Sequence, residues 1–181
     1  MQCILCESKE TEIKMYNDNP LCDKCLNLQK ELIVEFSKNK KNFYPECDEI
    51  IKGKLYLGNY DFALNKDLLK NKNISCIIVC GSELECKFPN EFQYLKINLN
   101  DYIEDSILPY IDQCMEFIND NNDKKIFIHC NAGVSRSPSI VIAYLIKGLN
   151  YSFKEAYDLV KSKRKIIKPN DKFMDELKAL K

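Results

Sequence analysis

The chain is short of several things at once. Its 181 residues include one histidine, five glycines and six prolines, and 27 basic residues are balanced by 27 acidic ones. With no net charge there is no global field to recruit nucleic acid, so general nucleic-acid binding is not expected. No segment is apolar over the roughly 20 residues that a membrane-spanning helix needs. No secretory signal precedes Cys3, which points to a reducing compartment, cytoplasmic or nuclear. No internal repeat is found. Hydrophobic residues make up 45% of the chain, enough for one sizeable core and a small additional module.

What the chain does contain is the run Ile126-Phe127-Ile128-His129-Cys130-Asn131-Ala132-Gly133-Val134-Ser135-Arg136-Ser137. An apolar strand leads into a short polar loop and then into a helical stretch from Pro138 to Leu149, with Cys130 and Arg136 bracketing five residues. Five residues suffice for the backbone to curl around a phosphoryl group with successive N–H groups pointing inward. The helix N-terminus that follows adds its unpaired N–H groups and its dipole. The same N–H groups surround the Cys130 sulfur and favour the thiolate, the nucleophilic form. Arg136 supplies a planar guanidinium that can hold two phosphoryl oxygens at once. Gly133 stands where the loop needs an unusual φ or a close approach of backbone to ligand. Ser137 can donate a hydrogen bond to the sulfur as it leaves, and Pro138 suits a first helical turn. Asn131, Ala132, Gly133, Val134, Ser135 and Arg136 are the candidate substrate-binding positions. A buried core cysteine beside a surface arginine is the plainer reading. It leaves the histidine, glycine, arginine and hydroxyl at these offsets unexplained.

His129-Cys130-x-x-Gly133-x-x-Arg136-Ser137 resembles the signature of cysteine-dependent protein phosphatases, and Ala132 to Ser137 resembles the dual-specificity branch. Ile51 to Asn59 is similar to the strand that opens these domains, with Ala63 and a helix at Leu68-Leu69 following. Lys168-Pro169-Asn170-Asp171-Lys172-Phe173-Met174 resembles the segment that introduces their last helix. The resemblance covers residues 47–181 and implies a catalytic domain that removes phosphate from phosphotyrosine and from phosphoserine or phosphothreonine, with a phosphorylated protein as substrate. It implies no cofactor for catalysis. The absence of tryptophan removes the tryptophan-bearing acid loop of the larger tyrosine-specific enzymes. The end at Leu180-Lys181 lacks a prenylation box, unlike lipid-anchored members of the superfamily.

A leaving alkoxide or phenolate needs a proton, so a carboxylic acid is required upstream of the nucleophile on a mobile loop. An alternating strand from Tyr94 ends at Asp101, and Glu104 and Asp105 follow. The resemblance maps the general acid onto Asp101, with Asp105 next. The helix after it, carrying Ile107, Ile111, Met115 and Ile118, calls for a cap at Asp105 or Ser106. The implied mechanism has two steps: Cys130 attacks phosphorus while Asp101 protonates the leaving oxygen, and Asp101 then activates water. His129 is expected to orient the loop and tune the sulfur through hydrogen bonds, with a purely structural role as the alternative. Arg164 aligns with a basic position that in relatives helps bind a second anion; a solvated helix face is the alternative.

At the amino end, Cys3-x-x-Cys6 and Cys22-x-x-Cys25 are separated by fifteen residues. Paired knuckles at such spacing predict a tetrahedral four-cysteine zinc site, and with no histidine nearby every ligand is sulfur. The alternatives are two disulfides or free thiols. The zinc would be structural, because about 25 residues cannot fold without such a staple. The domains expected are therefore residues 1–40, a zinc-binding module with a following helix and a possible protein partner, and residues 47–181. Lys38 to Asn42 is a polar linker or helix end.

The expected fold class is α/β: a central, mostly parallel sheet flanked by helices, plus the zinc module. Apolar strands at Ile74–Val79 and Ile126–His129 alternate with helical periods at Ile107–Ile118, Ile140–Ile146 and Phe153–Val160, and Gly148 is expected as a C-terminal cap. Cys47, Cys76, Cys80, Cys86 and Cys114 read as small core residues, and any of them could pair with Cys130 under oxidation, as happens in some relatives. Two other functions stay open: a phosphatase for phosphoinositide, sugar phosphate or RNA 5′-phosphate, and a catalytically weak phosphate-binding adaptor. Asn131, Ala132, Val134 and Ser135 give the loop none of the lysines that highly charged lipid headgroups would favour.

Overall fold

The apolar runs read as strands are buried on both faces, which is the condition of parallel strands inside a sheet. The computed structural model describes residues 13–16, 19–22, 45–102 and 104–180, and the chain divides into two units, Met1–Phe43 and Tyr44–Lys181. In the first unit, β1 (Ile13–Tyr16) and β2 (Asn19–Cys22) pair antiparallel, from Ile13 opposite Cys22 to Tyr16 opposite Asn19. Cys22 closes β2. Cys3, Cys6 and Cys25, and with them the four-cysteine site, lie outside the described residues, as does the stretch Lys38 to Asn42.

The second unit holds β3 (Cys47–Ile51), β4 (Leu55–Gly58), β5 (Ile74–Cys80), β6 (Gln93–Ile97) and β7 (Lys125–His129) in the order β3-β4-β7-β5-β6. Only β3 and β4 pair antiparallel. The run Ile51–Asn59, expected as one strand, is cut by a turn whose Gly53 takes φ 70° and whose Lys54 N–H returns to the Ile51 carbonyl at 3.0 Å. A positive φ is open to glycine at little cost, so the chain reverses there.

Strand periodicity sorts the core into two layers. Leu55, Leu57, Ile126 and Ile128 join the cluster built with α3 (Leu108–Asp120), α4 (Arg136–Leu149), α5 (Phe153–Lys163) and α6 (Asp171–Ala179). Tyr56, Ile77, Val79 and Phe127 face α1 (Tyr60–Ala63) and α2 (Lys66–Asn71), where they meet Phe62 and Leu69. In β5 the register shifts between Ile74 and Cys76, which puts these two residues in opposite layers. Helix α4 is buried at every position from Arg136 to Ile146, so the loop between β7 and α4 is anchored at both ends in core.

Three local expectations change. Helix α4 runs through Gly148 and closes at Asn150, which takes φ 58°; asparagine tolerates the left-handed region. Gly148 serves packing instead, since a Cβ there would come within 3.0 Å of the Tyr144 ring. Helix α3 begins at Leu108, and its leading N–H groups go to Ser106 Oγ (3.2 Å, from Leu108) and to Glu176 Oε2 of α6 (2.9 Å, from Ile107). The cap is thus shared with a carboxylate from a distant helix, which local spacing cannot reveal. Strand β6 ends at Ile97, and residues 98–101 continue as loop.

Candidate active site

Cys130 follows the last residue of β7 and is buried in the floor of the loop. Every carbonyl from Cys130 to Ser135 is turned outward to a donor. The Cys130 carbonyl meets His129 Nδ1 (3.3 Å), and that of Asn131 accepts from Tyr60 N–H (2.9 Å). The Ala132 and Gly133 carbonyls accept from the Arg164 guanidinium (3.0 and 2.7 Å). That of Val134 accepts from Lys168 N–H (2.7 Å), and that of Ser135 from the N–H and hydroxyl of Ser139 (3.1 and 2.8 Å). In a planar trans peptide N–H and C=O point opposite ways, so outward carbonyls turn the following N–H groups inward. Gly133 takes φ 65°, and a Cβ on it would meet the Gly58 carbonyl oxygen at 2.4 Å, so only glycine fits this closely braced position.

Ser137 Oγ donates to the Cys130 sulfur at 3.2 Å, as expected from its position in the first turn of α4. Arg136, also in that turn, is buried; its Nη1 donates to Glu83 Oε1 (2.6 Å) and lies 3.5 Å from the Leu99 carbonyl, while its Nε is buried without a partner. An unpaired buried guanidinium N–H is costly unless something arrives to accept it. Asp101 Oδ1 accepts from Ser135 Oγ (2.7 Å) and from Asn170 Nδ2 (2.9 Å), and Asn170 N–H donates back to Ser135 Oγ (3.1 Å). Asp101 is thus tied to the loop itself. A cleft of about 510 Å³ opens there, lined by Asp101, Val134, Ser135, Lys168, Pro169, Asn170 and Asp171.

The model matched by residues 55–181 is that of the dual specificity phosphatase catalytic domain. The chain belongs to the dual-specificity phosphatase family. It is 38% identical over 132 residues to dual specificity protein phosphatase 19 of Mus musculus, covering 72% of this chain and 60% of that protein. It is 35% identical to dual specificity protein phosphatase 1B of Arabidopsis thaliana, covering 73% of this chain and 80% of that protein. Among solved structures, human tyrosine phosphatase-like serine/threonine/tyrosine-interacting protein superposes with a TM-score of 0.67 at 29% identity, over 72% of this chain and 92% of that one. The chain spans less than two thirds of several curated relatives, only 28% of a probable rhodanese domain-containing dual specificity protein phosphatase of Dictyostelium discoideum.

Within this phosphatase domain Arg164 takes a role the sequence did not point to, while His129 lies where its bond to the loop carbonyl was expected. Arg164, expected to meet a second anion or to lie on a solvated face, is almost fully buried. Its Nη1 and Nη2 donate to Asp48 Oδ2 and Glu46 Oε2 (both 2.7 Å), and Nε and Nη2 hold the Gly133 and Ala132 carbonyls. It braces the loop from behind, with two carboxylates of its own chain already on its charge. His129 is stacked between Tyr60 and Phe127, with ring centroids 5.8 and 5.4 Å away. Burial, helped by the charge on Arg136, brings its pKa down to about 4, so the ring is neutral near pH 7 and does not carry an acid's proton. Glu83, Glu46, Asp48 and Tyr60 all serve the site and escaped sequence reading, having no local motif to mark them. Among the described residues no group of three or more His, Cys, Asp or Glu side chains could hold a metal.

Proposed function

We propose that this domain hydrolyses phosphate monoesters on protein phosphotyrosine and phosphoserine or phosphothreonine through a phospho-cysteine intermediate. The observation that carries this reading is the cradle of N–H groups between Cys130 and Arg136, with the hydroxyl of Ser137 on the sulfur and the carboxylate of Asp101 at the rim. The phosphoryl group enters with its oxygens on the loop N–H groups and on the Nε edge of Arg136. Cys130 Sγ attacks phosphorus in line, and the P–O bond to the side-chain oxygen breaks. Asp101, entering protonated, gives that oxygen its proton. The carboxylate left behind takes a proton from water, whose oxygen attacks phosphorus; the S–P bond breaks, and Ser137 donates to the departing thiolate. His129 acts through its hydrogen bond on the Cys130 carbonyl, as a positioning residue.

The loop carries no lysine between Cys130 and Arg136, and the single lysine lining the cleft is Lys168; this favours a protein phosphomonoester over a polyphosphorylated lipid headgroup. At the amino end we propose a structural zinc on Cys3, Cys6, Cys22 and Cys25, in a module that docks a protein partner. The thiols of Cys47, Cys76, Cys80, Cys86, Cys114 and Cys130 are all unpaired, which is in keeping with a cytoplasmic or nuclear setting.

Phosphate release from phosphotyrosyl and phosphothreonyl peptides, a phosphoinositide and a triphosphate-ended RNA tests the reading directly. Both peptides are expected to turn over, and Cys130→Ser to abolish release while still binding phosphate. Release confined to lipid or RNA would move the substrate class, and turnover surviving in Cys130→Ser would remove the mechanism.

A further inference from the structure

Arg136 is held by more than its own helix. Glu83, half exposed, puts Oε1 2.6 Å from Nη1 of the buried guanidinium. In a guanidinium Nε and Nη2 lie on one edge and Nη1 on the other, so a carboxylate on Nη1 leaves the Nε–Nη2 edge free. That is the edge whose Nε is buried without a partner. Glu83 is delivered by a turn with little freedom: Gly81 N–H donates to the Ile97 carbonyl (3.1 Å), Leu84 N–H to the Gly81 carbonyl (3.3 Å), and Lys96 Nζ to the Ser82 carbonyl (3.0 Å). Ser82 Oγ donates to Asn100 Oδ1 at 2.5 Å, which ties the turn to the residue beside Asp101. Gly81 makes the room, since a Cβ there would meet Arg136 Nη1 at 2.7 Å and Glu83 Oε2 at 2.8 Å.

We propose that Glu83 is a positioning residue that orients Arg136: by occupying Nη1 it turns the Nε–Nη2 edge toward the cradle, ready for two phosphoryl oxygens. It also compensates a buried charge that would otherwise stand unpaired whenever the cleft is empty. Because Ser82 bonds Asn100, one turn references both the phosphate-binding arginine and the loop that carries Asp101. The inference rests on the reading of Arg136 as a phosphate ligand.

The test uses the full chain, with vanadate as the oxyanion probe and a phosphotyrosyl peptide as substrate, on Glu83→Gln, Glu83→Ala, Arg136→Lys and the Arg136→Lys/Glu83→Ala pair. Glu83→Ala is expected to weaken vanadate inhibition and raise KM by about tenfold, the scale of one hydrogen bond to a charged group, with a smaller fall in kcat. Glu83→Gln keeps an acceptor for Nη1 and is expected to recover part of that loss. In the double variant the losses should not add, since lysine has no Nη1 to be held. Vanadate inhibition and KM within twofold of wild type in Glu83→Ala, or losses that add in full, would overturn the proposal. Should Glu83→Ala fail to fold, Glu83→Ser takes its place and must show the same order. If Arg136→Lys itself binds vanadate normally, the reading of Arg136 fails; if it loses binding while Glu83→Ala does not, this inference alone fails.

Discussion

A histidine stacked between two rings, with Nδ1 on a carbonyl and Nε2 buried without a partner, resists protonation. His129 titrates at about 4 in the folded chain, below its ordinary 6.5, so between those values the unfolded chain binds the extra proton. Stability from His129 is complete above pH 6.5 and is lost as pH falls toward 4, by an amount on the order of 2–3 kcal/mol. His129→Phe keeps the stacking and cannot titrate. Its urea midpoint should therefore fall less than that of wild type between pH 7 and pH 4.5; parallel pH profiles for the two proteins would contradict the neutral ring. The thiols of Cys80 and Cys114 belong to the same scale. Burial pushes both up, Cys114 to about 12, as for small residues packed in the core.

At the scale of elements, the loop between β7 and α4 is a strand end and a helix start with a braced curve between them. Its shape was readable because spacing within eight positions sets it: Cys130, Gly133, Arg136 and Ser137 stand at offsets that let the backbone curl around an anion. What braces the loop was not readable. Arg164 reaches Asp48 and Glu46 across 116 and 118 positions, and Glu83 reaches Arg136 across 53. Such pairs are made by topology, when β3 and the end of α5 arrive behind the loop, and no local pattern signals them. Arg164→Met should cost about 2–4 kcal/mol in urea unfolding, because two carbonyls and two carboxylates lose their donor at a buried position. Glu46→Gln should cost less, since Glu46 is half exposed and water can replace the pair. The reverse order would mean that Arg164 serves its acidic partners rather than the loop.

For the molecule as a whole, the second unit builds its core in two layers that cover both faces of the five-stranded sheet. The alternation of apolar runs with helical periods made this α/β arrangement legible, because strands buried on both faces and amphipathic helices leave few other ways to hide apolar surface. The antiparallel β3 was less legible, since the turn at Gly53 interrupts a stretch that otherwise looks like one strand. A fragment of residues 44–181 is expected to fold and to keep the kcat of the full chain within about threefold, an activation difference below 1 kcal/mol. Loss of the unfolding transition in that fragment would show that the amino-terminal unit is part of the core. The measurement that bears most directly on the whole account is rapid acid quench of the enzyme during turnover of a phosphotyrosyl peptide, followed by mass spectrometry of the Cys130 peptide. A phosphoryl adduct is expected on Cys130, accumulating further in Ser137→Ala, where the departing thiolate loses its donor while Asp101 still protonates the leaving oxygen. Steady turnover with no adduct on Cys130, or with the adduct on another residue, would contradict it.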